Sequence, residues 1–310
     1  MKALKNAAGA AHIKWKALIF KALPHLMFIA LLLLISSPSL VELKVRGAFA
    51  AVAVMIELAL LCNWRSRSAH DLVMMVFAFL IVWEVVTTKI PNPNKMLFPP
   101  PENVFAIYYT DWKKIISGIF SSLFLLAYGA GLAFVSGIVL GLTVGWHERL
   151  RQALFPVAKV ISPIPPIIYT PYAVALLPSF KIASIFVIFS SIFWYLFLNM
   201  IISVATIDKK LLDSARSLNI SPWGLMRHIL FPYCLPGIFK TLPISMANAF
   251  MVLTAAEMIG ATSGLGWFVK YYSDFSDFTR VVAGIVLIGL VVSVIGALLA
   301  RLDKLVIRWR

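Results

Sequence analysis

The chain has 310 residues, of which 61% are hydrophobic and 13% charged, with 28 Lys and Arg against 13 Asp and Glu. Soluble domains average about 45–50% apolar and about 25% charged residues, so this composition excludes an ordinary soluble domain and points to the membrane. The net charge of +15 is spread over separate segments rather than gathered on one face, which argues against nucleic acid as a partner.

A helix needs roughly 20 apolar residues to cross a bilayer. The sequence predicts spans at about 19–36, 47–62, 70–88, 115–145, 154–177, 183–206, 240–261 and 281–300, which makes an all-α polytopic membrane protein with about eight transmembrane helices. The first span begins late and has no small-residue cleavage site, so it is not a secretory signal peptide. The second span is short and contains Glu57. A bare charge there is costly, so Glu57 is expected to face another helix or to be protonated. The fifth span holds several prolines and is expected to be broken or tilted.

Lys and Arg set orientation, because they accumulate in cytoplasmic loops. With both termini inside, 18 of the 28 fall on the cytoplasmic side and nine on the external side. Cys62 and Cys234 then lie near the cytoplasmic face, where disulfides are rare, and are read as inert thiols. The histidines at 12, 25, 70, 147 and 228 have no ligand spacing, so neither a metal nor another cofactor is expected.

Between the sixth and seventh spans the chain reads LLDSARSLNISPWGLMRHILFPYCLPGI, residues 211–238. Asp208 is placed to cap a short helix over 209–218, with Leu211, Leu212, Ala215 and Leu218 on one face. Asn219 suits the left-handed residue that ends a helix. Ser221 is a good N-cap, and Pro222 suits the first position of a second helix. That helix is expected to run to about Leu230 and to stop near Pro232. The result is a polar helix–turn–helix at the cytoplasmic surface, read either as an interfacial hairpin or as a docking knob.

Within the spans, Gly137, Gly141 and Gly145 form a stripe of small residues that favours close helix packing. In 240–257, Thr241, Ser245 and Asn248 share one face, and Phe250, Thr254 and Glu257 share the opposite one. One face is expected to line a pathway and the other to meet a neighbouring helix; spacing alone does not say which. The sequence contains no Gly-Lys pair, hence no G-x-x-x-x-G-K-[ST] phosphate loop. It also lacks a nucleophile elbow or a paired-carboxylate hydrolase pattern, so the chain is read as not an enzyme.

The 211–238 segment resembles the coupling loop of binding-protein-dependent ABC importer permeases. That loop runs Glu-Ala-Ala, three residues, Gly, a spacer, then an apolar-Pro pair. Here the positions read Asp213-Ser214-Ala215, followed by Arg216, Asn219, Pro222 and Phe231-Pro232. AEMIGATSGLGWFV at 256–269 is similar to a stretch of the sulfonate, taurine and nitrate branch of these permeases. SPIPPI at 162–167, FPPPENV at 98–104 and VWE at 82–84 resemble other segments of that branch. The branch's Trp-Phe-Gly after the proline-rich span is missing, and the chain reads ALLPSFKIAS there.

The resemblance implies the type I ABC importer permease fold for residues 70–310, with a coupling loop at 207–238. Residues 1–69 are then an added two-helix hairpin beyond the six-span core. It further implies a bacterial inner (cytoplasmic) membrane, a second copy of the chain to complete the pathway, cytoplasmic ATPase subunits seated on the loop, and an external solute-binding protein. The expected cargo is a small polar solute such as a sulfonate, a nitrate-like anion or a vitamin precursor. Candidate pathway or gate residues are Asn199, Ser245, Asn248, Glu257, Met258, Gly260, Gly264 and Gly266. Glu257 either holds the glycine-rich turn that follows it or meets substrate directly. Asn199 resembles an Asn of the family's corresponding span, with helix–helix hydrogen bonding as the alternative. WFVKYYSDF at 267–275 suits an aromatic belt or a landing surface for the binding protein. The rival class is an ATPase-independent secondary transporter or channel.

Overall fold

The computed structural model describes residues 21–43, 45–64, 66–91, 94 and 96–306, the Arg216 side chain excepted. The expected start of the first span at residue 19 lies outside the described residues. The helices are α1 (Lys21–Ser36), α2 (Arg46–Cys62), α3 (Arg67–Glu84), α4 (Pro101–Thr110), α5 (Trp112–Trp146), α6 (Glu148–Ile161), α7 (Pro166–Leu176), α8 (Phe180–Ala205), α9 (Lys209–Ser217), α10 (Pro222–Leu225), α11 (Phe231–Gly260), α12 (Leu265–Asp274) and α13 (Phe278–Val306). They fall into two compact units.

Among the described residues, five helices are long and apolar enough to cross a membrane, or six when α6 and α7 count as one broken span. These six coincide with the spans expected for the permease core. In the expected N-terminal hairpin, the described part of α1, Lys21–Ser36, is apolar, and α2 is shorter than these helices. The 17 residues of α2 extend about 25 Å at 1.5 Å each, against a hydrocarbon core of about 30 Å.

The first unit contains α1 to α4 and residues 272–283. Leu31 and Ile35 of α1, Phe49, Ala53 and Leu60 of α2, and Val73, Phe77 and Leu80 of α3 form one buried cluster. Glu57 does face another helix: its carboxylate accepts from the His25 ring of α1, and that ring stacks on Trp64 at 5.3 Å. The buried carboxyl group thereby has a hydrogen-bond partner, as buried polar groups require. A π-helical turn, Val85–Lys89, extends α3. In it the Thr87 and Thr88 hydroxyls donate to the carbonyls of Trp83 and Glu84 at 2.8 Å each.

The second unit holds residues 113–271 and 284–310. Its long helices are apolar on nearly every side, as expected where lipid covers one face and protein the other. The small residues of α5 let α8 lie against it. A Cβ on Gly141 would come within 2.4 Å of the Met200 Cβ, and one on Gly145 within 2.8 Å of the Val204 Cβ. The glycine stripe is therefore a packing device. The fifth span is broken as expected: α6 and α7 meet at 93° across Ser162–Pro165.

One expectation fails in this unit. The second helix of the cytoplasmic hairpin does not stop near Pro232; helix runs without interruption from Pro222 to Gly260. The reason lies in the π turn Met226–Leu230, where the Phe231 N–H donates to the Met226 carbonyl five residues back. That widened turn takes up the proline ring at the position where a regular helix would clash with it. The second helix of the hairpin is thus continuous with a membrane span.

Candidate functional site

Three groups of expected residues are placed by this framework. The first is the hairpin. The Lys210 N–H donates to Asp208 Oδ1 at 2.9 Å, which starts α9. Asn219 ends it with φ 52°, and the Ile220 N–H closes onto the Ala215 carbonyl at 3.2 Å. The Gly224 N–H donates to Ser221 Oγ at 3.1 Å, and Pro222 occupies the first helical position.

The expected apolar face of α9 divides. Ala215, 3% exposed, packs with Val204, Ile207, Leu225, Leu230 and Cys234, so one side of the hairpin is fixed to the ends of α8 and α11, with Leu212 partly buried against it. Leu211 and Leu218 remain exposed, Leu218 at 75%. Ile220 and Trp223, the latter 71% exposed, are exposed as well, as are Asp213 and Ser214. Pro222 is exposed and Pro232 half-buried. Leu218 was expected on the apolar face of the first helix, whereas sequence reasoning did not single out Ile220 or Trp223. Their signal, with Leu218, was three large apolar residues around a turn that folds back on itself.

The second group surrounds Glu257, which is 1% exposed. Its Oε1 accepts from Ser122 Oγ of α5 at 2.6 Å, and its Oε2 accepts from the Gly266 N–H at 2.7 Å. The Leu265 N–H in turn donates to Ser122 Oγ at 3.0 Å. Glu257 thus holds, directly and through Ser122, the first two amides of α12, which lack intrahelical partners. The intervening turn depends on glycine. Gly264 has φ 127°, and a Cβ there would lie 2.4 Å from the Glu257 carboxyl carbon. A Cβ on Gly266 would lie 2.3 Å from the Thr254 carbonyl oxygen.

Ser122 was missed in the sequence; its signal was a pair of serines, Ser121 and Ser122, inside an apolar run. Ser121 Oγ lies 2.9 Å from Ser263 Oγ, a second tie between α5 and the turn. Beside this turn Gly260, Thr262, Ser263, Ser179 and Lys181 border a cavity of about 580 Å³. The segment lacking the family's Trp-Phe-Gly therefore adjoins the Glu257 turn. Met258 is exposed and is not part of the carboxylate's hydrogen-bond set.

The third group answers which face of α11 is open. Ser245 and Asn248 line a cavity of about 330 Å³ with Ser162, Pro165, Ser191 and Tyr195, at the break between α6 and α7. Phe250 and Glu257 on the opposite side are buried within the unit. Asn199 stands apart: its Nδ2 donates to the Tyr195 carbonyl of its own helix at 3.2 Å. A broken helix opening on a cavity lined by both apolar and polar side chains is tolerated at membrane depth where protein or water covers the freed backbone.

Comparison with known proteins follows from this geometry. The family described as "Binding-protein-dependent transport system inner membrane component" matches residues 133–309. The nitrate import permease protein NrtB of Synechocystis sp. is 28% identical over 239 residues, 75% of this chain and 87% of that protein. The bicarbonate transport system permease protein CmpB of the same organism is 28% identical over 255 residues, 78% of this chain and 91% of that protein. Among solved structures, an inward-facing MetNI methionine ABC transporter aligns with a TM-score of 0.51 at 17% identity, over 63% of this chain and 98% of that one. That likeness concerns the fold.

Proposed function

The chain belongs to the family of binding-protein-dependent transport system inner membrane components, and from that premise we propose that it carries a small oxyanion or similarly small polar solute, driven by a separate ATPase docked on residues 211–232. It is the permease component of an ABC importer. The observation that carries the proposal is the hairpin: one side is buried on α8 and α11, while its Leu218, Ile220, Trp223 and Asp213 stay exposed.

Because the second helix of the hairpin, from Pro222, is continuous with the α11 span, a push on the hairpin moves the face bearing Ser245 and Asn248. These two residues, with Ser162 and Tyr195, supply neutral donors that hold a small solute without trapping it by a full charge. In this reading a second copy faces the same cavity and completes the pathway. Glu257 holds the external turn in place rather than meeting the solute, which its burial and two filled acceptors support. Nitrate and bicarbonate, the solutes named for the two relatives, are the first cargoes to try, followed by sulfonates.

The test is reconstitution of the chain in vesicles with its ATPase and solute-binding protein. ATP-dependent solute accumulation, absent when the ATPase is omitted, is the expected result. Accumulation that persists without any ATPase supports the secondary-transporter reading instead.

We place the permease core at 70–310 and treat residues 1–69 as an accessory hairpin. Removing 1–69 takes away two helices and so preserves the inside–outside parity of the remainder. It uncovers Val73, Phe77 and Leu80, which lipid covers about as well as protein does. Uptake by the shortened chain is expected to match that of the full chain for equal amounts inserted. A correctly inserted and assembled chain that does not transport assigns 1–69 an essential role.

A further inference from the structure

The cavity beside the Glu257 turn takes no part in the transport reading above. It lies within the second unit, at the expected external end of α8, and measures about 580 Å³. Phe120 and Phe124 of α5 and Phe180 of α8 form an apolar wall. Lys181 is the one charged residue that borders it among the described residues. Lys181 and Ser179 come from ALLPSFKIAS, the stretch in which the branch's Trp-Phe-Gly is missing.

The polar side chains at this cavity have hydrogens to give. Ser179 Oγ accepts from the Ile182 N–H at 3.4 Å, which leaves its own hydrogen available. Ser121 Oγ and Ser263 Oγ stand 2.9 Å apart, so one hydrogen serves their mutual bond and the other is left over. Thr262 is exposed and brings a further hydroxyl. Among the described residues no Asp or Glu lines the cavity. The Glu257 carboxyl that holds the turn already accepts from Ser122 and Gly266. Those bonds fix the segment carrying Thr262 and Ser263, so its hydroxyls are in place before a solute arrives. A concave surface of one sign concentrates the opposite ion, and an apolar wall lengthens the reach of the charge.

We propose that this cavity is an entry site for small oxyanions, with Lys181 supplying the charge and the hydroxyls of Ser179, Thr262 and the Ser121–Ser263 pair supplying hydrogen bonds. Its place in transport rests on the importer reading: a charge gathers the anion at the mouth, and the neutral donors at Ser245 and Asn248 receive it further in. The ligand is a compact anion with several acceptor oxygens. A phospholipid phosphate shares that chemistry, and the test separates the two.

The experiment places a thiol beside the lysine. Cys62 and Cys234 are replaced, Thr262→Cys is introduced into the full chain, and the chain is held in phosphatidylcholine nanodiscs. Two reagents are compared, the anionic 2-sulfonatoethyl and the cationic trimethylammonioethyl methanethiosulfonate, each rate divided by that for a free thiol. The anionic reagent is expected to react faster. Lys181→Gln is expected to cut the rate ratio about tenfold, and Lys181→Arg to keep it. Nitrate is expected to slow the anionic reagent more than gluconate does at equal ionic strength. A ratio indifferent to Lys181→Gln overturns the proposal. Absence of protection by nitrate overturns it too, and protection by added phosphatidylglycerol instead would assign the site to lipid phosphate. In the complex with ATPase and solute-binding protein, Lys181→Gln is expected to lower nitrate uptake and Lys181→Arg to retain it; uptake unchanged in Lys181→Gln overturns the entry role. The thiol rates need no ATPase, so a chain that shows them without ATP-driven uptake would contradict the importer reading and leave the site standing.

Discussion

Glu257→Ala is expected to abolish coupled transport, whereas Glu257→Gln is expected to retain most of it. The carboxylate accepts from the Gly266 N–H and from Ser122 Oγ, and it is 1% exposed. Alanine leaves both donors buried and unpaired, at about 1–3 kcal/mol each, enough to release the turn 261–265. Glutamine keeps one acceptor oxygen for Gly266. Its amide can donate to Ser122 Oγ, which has a second lone pair beside the one used by Leu265.

Gly264→Ala should match the alanine variant in severity, because it forces a side chain into φ 127° and against the Glu257 carboxyl carbon at 2.4 Å. ATP-driven uptake and ATP hydrolysis measured together separate the outcomes. Uptake lost with hydrolysis retained marks an uncoupled gate. Failure of the glutamine variant would mean that the charge itself is required. Full coupled transport by Glu257→Ala contradicts any gate role.

The second large effect is expected at the hairpin. Trp223→Ala removes a large aromatic side chain that is 71% exposed in the isolated chain. A central interface tryptophan is worth about 2 kcal/mol or more, so ATPase affinity should fall about 30-fold. Asp213→Arg should weaken assembly by reversing a charge at the same surface, where like-charge contacts cost several kcal/mol. Both positions are exposed, and the buried contacts of Ala215, Leu225 and Leu230 stay intact, so the membrane core should fold normally. Unchanged co-purification and unchanged stimulated ATP hydrolysis in both variants would remove the hairpin from the coupling role.

Local chemistry accounts for what the sequence made legible. The caps at Asp208 and Ser221 and the left-handed turn at Asn219 depend on neighbours a few residues apart, and they appear where spacing placed them. The break in the fifth span was equally readable, since its prolines admit few alternatives. Pro232 misled because the remedy, a π turn, lies in the preceding residues and has no compositional mark. The partner of Glu257 was hidden for a different reason: Ser122 is 135 residues away, and no periodicity links two helices so distant in sequence. The same holds for Glu57 and His25. Which face of α11 opens onto the cavity was also undecidable from one helix, because Ser245 and Asn248 become recognisable as lining only beside Ser162 and Tyr195.

The most direct measurement is a cross-link from the hairpin. Cys62 and Cys234 are free and are replaced first, so that Leu218→Cys supplies the sole thiol, with Leu150→Cys as the matched position elsewhere on the expected cytoplasmic side. In the assembled, ATP-hydrolysing complex, the thiol at 218 is predicted to cross-link to the ATPase subunit, and Asp213→Arg is predicted to abolish that product. An active complex that cross-links from 150 and never from 218 would contradict the assignment of the hairpin as the ATPase dock.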